Sequence, residues 1–535
     1  MSIERWLRDG EVDDTDVRFG RALARGNEVL LPLAVAVSRS VRAGHVCLTR
    51  EQIPTGVDMD AAFEGLAAPR SKIEPMVIDG GRVYLHRAFE REVAVAADLI
   101  RRSTPQPGRL DSISMEIVQR AFPEDEVRRG AAERAISAGV VVITGGPGTG
   151  KTSTVVRLAG ALVELAHRRQ VPPPRIRLLA PTGKAAARLA ESVRSALQTL
   201  DVDPWVRARI PTEAMTIHRA LALGGQGRPR YHRDHPWASD VVIVDEMSMV
   251  DLELMSQLLD AARTDATVIF LGDPNQLSSV EAGSVLADLE SLPDSVFRLT
   301  ESHRYASTSG IGALARAVLA GDSAGALALL EDPSVGDVSL AQSGREAAVR
   351  AAVFNHQRVS SARDPAERHR RVREHRVLCA RRSGRFGVED VNARVRRLID
   401  ADGAVDGGAL LVRRNDSMVE LFNGDLGVVQ SGENPVAWFE ALGGAVRSVP
   451  LALVPTHEDA FALTVHQSQG SEFDSVSIVL AGDSSALATR ELLFTALTRA
   501  RRSVVLYGSG DQLAAAVDRK TFRASGMAER LRRRS

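Results

Sequence analysis

Between residues 140 and 272 the chain repeats a pattern that few folds accept. Short β-branched runs recur in VVVITGG, RIRLLAPTG, DVVIVDE and TVIFLGDP, and a helical pattern follows each of them. A strand that is apolar along its whole length, and not only at alternate positions, has both faces covered. A helix between successive strands supplies the crossover that parallel pairing needs. The expectation is an α/β body with a parallel sheet. A second set of such runs, in HRVLCARR, SVSIVLAG and RSVVLYGSG, predicts a second body of the same kind.

The chain has 535 residues, too many for one core. Residues 1–112 read as a mainly helical N-terminal domain, with a hairpin turned by Asp79-Gly80-Gly81 and a linker marked by Pro105 and Pro107. The first α/β domain is expected over 113–298, with a possible hairpin insert at 222–238, and the second over 299–535. Within the second, about 410–455 reads as short strands turned at Asn423-Gly424 and Gly443-Gly444, a small antiparallel barrel. Residues 360–376 are strongly basic and read as a solvated helix or loop.

No apolar run is long enough to span a membrane, and the start, MSIERWLRDGEVDD, lacks the basic and apolar stretches of a secretory signal. Cys47 and Cys379 are too few for a disulfide framework or a zinc site and read as core thiols in a reducing cytoplasm. Net charge is zero, so a nucleic-acid site would have to be a local track. Of 68 basic residues only Lys72, Lys151, Lys184 and Lys520 are lysine. A lysine kept in such a background suggests a need for a compact point charge where arginine would offer a planar fork. Lys151 and Lys184 both lie in the segments that carry chemistry.

Gly145-Gly146-Pro147-Gly148-Thr149-Gly150-Lys151-Thr152 fits the phosphate-loop pattern G-x4-G-K-[ST], between an apolar strand and a helix. Its glycines let backbone N–H groups turn toward phosphate oxygens at a helix N-terminus. Lys151 is placed to reach the β- and γ-phosphates of ATP, and the Thr152 hydroxyl to bind Mg2+. The strand Val241–Val244 ends in Asp245, a second Mg2+ candidate, and Glu246, a candidate to activate water. Gln276, after the next strand, is a neutral group that can contact a γ-phosphate or position water, though a turn glutamine is more often solvated. Arginines that could stabilise the transition state are Arg304 in ESHRY and Arg499 in FTALTRARR.

Taken in order, GGPGTGKT, LLAPTGKAAARL, TIHRAL, VIVDEMSM, LGDPNQLSSV, ESHRY, LTVHQSQGSEFDSV and FTALTRARRSVVLYG resemble superfamily 1 helicases, and among them the RecD family, the alpha subunit of exodeoxyribonuclease V. The resemblance implies two RecA-like domains with ATP between them, an SH3-like barrel insert that contacts the strand, and 5′-to-3′ movement on DNA. It implies that Arg304 and Arg499 complete the site from the second domain. It assigns Pro181, Thr182, Gly183, Lys184 and His218 to single-stranded DNA in the first domain, and Thr464, His466, Gln469, Gly470 and Glu472 in the second. The plainer alternatives are helix caps for Thr182 and Thr464 and a core histidine for His218. The implied partners are single- and double-stranded DNA ends and RecB-like and RecC-like subunits, in the bacterial cytoplasm at the nucleoid.

Three positions depart from the family pattern. Arg128 stands where a glutamine usually reads adenine, Gln467 where a basic residue follows the histidine, and Phe494 where tyrosine is commoner. A nuclease site needs clustered carboxylates and a lysine, and none is expected here. The competing readings are a stand-alone RecD-like helicase and a P-loop ATPase that acts on something other than DNA.

Overall fold

The computed structural model describes residues 3–53, 74–222, 229–279, 281–300, 309–341, 344–399, 405–416, 418–441, 445–480 and 487–533. The first α/β body is built on six parallel strands. Their order is Ala214–Thr216, Ile176–Ala180, Val241–Val244, Thr267–Gly272, Val140–Gly145 and Val296–Leu299. All pairings are parallel, and Val140 to Ile143 have no exposed surface. One strand, Thr267–Gly272, separates the phosphate-loop strand from the strand that ends at Asp245. The C-terminal ends of all three therefore open on the same sheet edge, within roughly 10 Å of one another at the usual strand spacing.

The second body has five parallel strands in the order Val338–Ala341, Ala500–Tyr507, Phe473–Val479, His375–Cys379 and Ala462–Thr464. The chain leaves this sheet after the helix Val388–Leu398 and forms a five-stranded antiparallel sheet. Its order is Val446–Pro450, Val436–Glu440, Leu426–Gln430, Ala409–Val412 and His457–Asp459. The alternation along these strands explains their placement. Leu410, Val412, Val429, Ala437, Phe439 and Val449 form a core of their own, while Ala409, Leu411 and Val428 join the core of the second body.

The N-terminal region carries the helices Asp14–Ala24, Leu31–Arg42 and His86–Ser103. It also carries a small antiparallel sheet, in which Cys47–Leu48, a strand the sequence reading did not include, pairs with the expected hairpin of Met76–Asp79 and Arg82–Leu85. The hairpin is where the sequence places it. Asp79 pairs with Arg82, and Gly80 and Gly81 take φ of 55° and 75°, the left-handed pair that a tight hairpin requires.

Other expectations change. In the insert expected at 222–238, residues 223–228 lie outside the described residues, and the rest shows one bridge, His232 to His235, and no hairpin ladder. Trp237 is buried there and donates its indole N–H to the Ala220 carbonyl at 2.8 Å, so side-chain packing anchors the segment. The Gly443-Gly444 turn lies outside the described residues. The basic stretch is a helix, Pro365–Val372, whose His369 is buried and whose Arg368 is bonded to Asp406 at 2.8 Å. The chain end leaves the second body altogether. Ala524, Met527 and Leu531 enter the core shared by the N-terminal helix and the first sheet. Among the described residues, no helix is long and apolar enough to cross a membrane.

Candidate functional site

The strand Val140–Gly145 delivers the phosphate loop to the open sheet edge, and the helix Lys151–Arg168 begins directly after it. Gly148 and Gly150 have φ of 76° and 82°. A Cβ on Gly145 would lie 2.6 Å from Thr149 Oγ1 and 2.7 Å from the Leu299 carbonyl, so only glycine fits there. Thr149 is buried and donates to the Gly146 carbonyl at 2.9 Å. The Lys151 ammonium lies over the loop and donates to the carbonyls of Gly145 (2.5 Å) and Gly146 (2.9 Å). Thr152 follows in the first helical turn, half-buried.

Arg128 is folded against this loop from outside. Its guanidinium donates to the Thr149 carbonyl and to Thr154 Oγ1, both at 2.9 Å, and pairs with Asp125. This arginine therefore braces the phosphate loop.

Across the edge stand Asp245 and Glu246, both half-buried. Burial, and then the Glu246 carboxylate, push the Asp245 carboxyl up to about 6, against the pull of Lys151. Asp245 Oδ1 accepts the Glu246 N–H at 2.8 Å. Glu246 itself holds φ 55° and ψ 43°, a left-handed conformation that side chains with a Cβ rarely adopt. Asp273 is buried beside them, and burial raises its carboxyl while Lys151 opposes the rise. Its oxygens accept from the Asn275 N–H at 3.0 Å and from Gln276 Nε2 at 3.2 Å.

The second body reaches into the same cleft. Arg499, buried at the end of the helix Arg490–Leu497, donates to Gln276 Oε1 at 3.5 Å and to the Ser471 carbonyl at 3.4 Å. The backbone of Leu277 is bonded to Thr495 Oγ1 (2.9 Å) and to Gln469 Nε2 (3.0 Å). Arg304 lies outside the described residues.

A second cluster forms where the first body, the second body and the antiparallel sheet meet. Pro181 follows the strand Ile176–Ala180, and Thr182 caps the helix Gly183–Thr199 by accepting the Ala185 N–H at 3.2 Å. Lys184 donates to Ser471 Oγ. Burial first, and then Arg188 and Arg373, bring its ammonium down to about 7. Phe422 of the insert packs on Gly183, where a Cβ would lie 3.0 Å from its own Cβ. Gly470 (φ 67°) and Glu472 complete the cluster, with Glu472 paired to Arg188 at 3.7 Å and to Arg501 at 2.9 Å.

Thr464 is occupied locally. Its N–H and hydroxyl both donate to Gln467 Oε1, at 2.8 and 3.1 Å, and Gln467 Nε2 donates to Glu458 at 2.8 Å. Gln467 thus serves as a cap where the family pattern has a cation. His466 is half-buried, and burial, then Arg523, lowers its imidazole. His218 is exposed, not a core histidine, on the short helix Ile217–Leu221. Phe494 is buried in the second core, where a ring suffices.

Sequence reasoning missed Asp273, Arg188, Arg373 and Thr495. Arg188 had a readable signal, since it lies one helical turn after Lys184 on the same face. Arg373 had none among so many arginines. Thr495 had none because its partner is fixed only by the docking of the two bodies.

Residues 126–335 match the AAA domain family and residues 459–507 the UvrD-like helicase C-terminal domain. The chain is 40% identical to the RecBCD enzyme subunit RecD of Mycobacterium tuberculosis, over 99% of this chain and 96% of that one. It is 30% identical to the RecBCD enzyme subunit RecD of Haemophilus influenzae, over 86% and 82%. It is 31% identical to the ATP-dependent RecD2 DNA helicase of Deinococcus radiodurans, over 90% of this chain and 63% of that one.

Proposed function

The chain belongs to the RecD family, and from that premise we propose that it is an ATP-dependent 5′-to-3′ DNA helicase, the motor subunit of a RecBCD-type complex acting at double-strand breaks. One observation carries the reading. The arginine that would complete the nucleotide site comes from the other α/β body, with Arg499 touching Gln276 across the interface. Turnover in such a site is tied to how the two bodies meet, and that is what a translocating motor needs.

The phosphate loop, Gly145 to Thr152, binds the triphosphate, and Lys151 leaves the loop carbonyls to contact its β- and γ-phosphates. The Thr152 hydroxyl and the Asp245 carboxylate, a fitting hard-oxygen donor pair, would hold Mg2+, which when bound would neutralise phosphate charge. Glu246 takes the proton of the attacking water, and Gln276 orients that water. Arg499 and Arg304 cover the charge that develops on the transferred group, an effect of about 10³ to 10⁵ in rate.

The strand crosses the other cluster. The backbone and side chains of Pro181 to Lys184, with His218, Thr464, His466, Gln469, Gly470 and Glu472, hold phosphates without reading bases. The antiparallel insert, read as SH3-like, contacts the same strand through its edge beside Gly183. The domain limits that go with this reading are 1–112, 113–298 and 299–535, the first docking RecB-like and RecC-like subunits. No nuclease activity is expected of this chain.

The test is strand separation by the purified chain, alone and with its partner subunits, on duplexes with a 5′ or a 3′ single-stranded tail. ATP-dependent unwinding of the 5′-tailed duplex is expected. Unwinding of only the 3′-tailed duplex, or none in the complete complex, contradicts the reading.

A further inference from the structure

Leu277 is gripped by the second body at both ends of its backbone. Its N–H donates to Thr495 Oγ1 at 2.9 Å, and its carbonyl accepts from Gln469 Nε2 at 3.0 Å. Its side chain packs in the core of the second body, although the residue belongs to the first. Thr495 is fully buried, and its own carbonyl accepts from Arg499 Nε at 3.1 Å and from the Thr498 hydroxyl at 3.0 Å. Arg499 closes the circuit by donating to Gln276, the residue before Leu277. The bonds thus form a ring that runs Thr495, Leu277, Gln276, Arg499 and back to Thr495. Gln469, from the segment assigned to the strand, is attached to the ring at one point, the Leu277 carbonyl.

A helical threonine hydroxyl ordinarily bonds within its own helix. Here it accepts a buried amide from the other body, the Leu277 N–H at 2.9 Å. Any shift of Gln469 moves the Leu277 peptide, and Thr495 is the group that keeps that peptide in step with Arg499. From this ring we infer that Thr495 is a positioning residue that links strand occupancy to the geometry of Gln276 and Arg499, so that DNA raises ATP turnover through it. The inference rests on the DNA-motor reading above.

Thr495→Val keeps the shape and removes the acceptor, leaving the Leu277 N–H unpaired. Thr495→Ser keeps the acceptor. Steady-state ATP hydrolysis of the full chain, with and without saturating oligothymidylate, separates the outcomes. For Thr495→Val, the KM for ATP should stay near that of wild type, and the DNA-free rate should fall far less than the stimulated one. The DNA-stimulated kcat should fall at least about tenfold, the scale on which small misplacements act. Thr495→Ser should retain stimulation. If the valine variant melts early, Thr495→Ala, which cannot clash, carries the same expectation. A valine or alanine variant stimulated like wild type overturns the inference. So does a parallel fall of DNA-free and stimulated rates, the mark of a merely structural residue. An unstimulated wild type would overturn the motor reading itself, and the relay with it.

Discussion

Lys184 is buried beside Arg188 and Arg373, with Asp425 opposing them, and burial does most to set its proton affinity. Its ammonium titrates at about 7 in place of 10.5 because it is buried and because Arg188 and Arg373 face it. Between those values the native state binds fewer protons than the unfolded chain, so this group's contribution to stability improves as pH rises from 7 toward 10.5. A phosphate beside the amine favours the charged form, so strand binding takes up a proton above pH 7. Affinity for oligothymidylate should be flat below pH 7 and weaken above it by up to about tenfold per unit, while Lys184→Arg should flatten the profile. A wild-type profile that is flat from pH 6 to 9 would contradict this. Glu246 is a second residue-scale case. Its left-handed backbone, φ 55°, costs roughly 1–2 kcal/mol. Glu246→Gly should therefore melt no lower than wild type yet turn over about 10²-fold or more slowly. A variant with normal turnover would remove Glu246 from the chemistry. The identity of Glu246 was legible as the second acid of a strand end. Its backbone strain was not, because φ at that point is imposed by the turn into Met247. Thr182 was legible as a helix cap and is one, while the exchange of Thr464 with Gln467 was not, because it depends on the local turn before His466.

Elements were more legible than residues because strand burial is written in every position of a run. Val140–Gly145, Val241–Val244 and Thr267–Gly272 all formed where continuous apolar runs predicted them. The phosphate loop was legible from its glycine and lysine spacing, and its tolerance is now specific. Gly145→Ala would set a methyl 2.6 Å from Thr149 Oγ1 and 2.7 Å from a backbone oxygen. The variant should fold but lose most ATP binding, measured by titration with a fluorescent nucleotide. Wild-type affinity would mean that the loop moves freely. The insert was legible from its short strands, while its contact with Gly183 through Phe422 was not, since nothing local in either segment points to the other. Of the hairpin expected at 222–238, the glycine-rich part lies outside the described residues, and the rest is anchored by buried Trp237, whose role no local pattern announced.

At the scale of the whole molecule, the chain end ties the second body back to the beginning of the chain. Glu92 is fully buried and accepts from Tyr84, from the Gly526 N–H and from Arg530 at 3.0–3.1 Å. Arg530→Met would leave that carboxylate buried without its cation, a loss of about 3 kcal/mol, visible as a lower melting temperature. An unchanged melting temperature would mean that the tail is not held there. No sequence pattern announces this strap, because its partners are more than 430 residues apart. The same long-range docking places Arg499 against Gln276, and on that contact the account stands. ATP hydrolysis by the purified chain, with and without single-stranded DNA and beside Lys151→Gln, tests it most directly. The account predicts hydrolysis strongly stimulated by DNA and abolished in the variant. A folded chain that hydrolyses ATP equally well without DNA would contradict it.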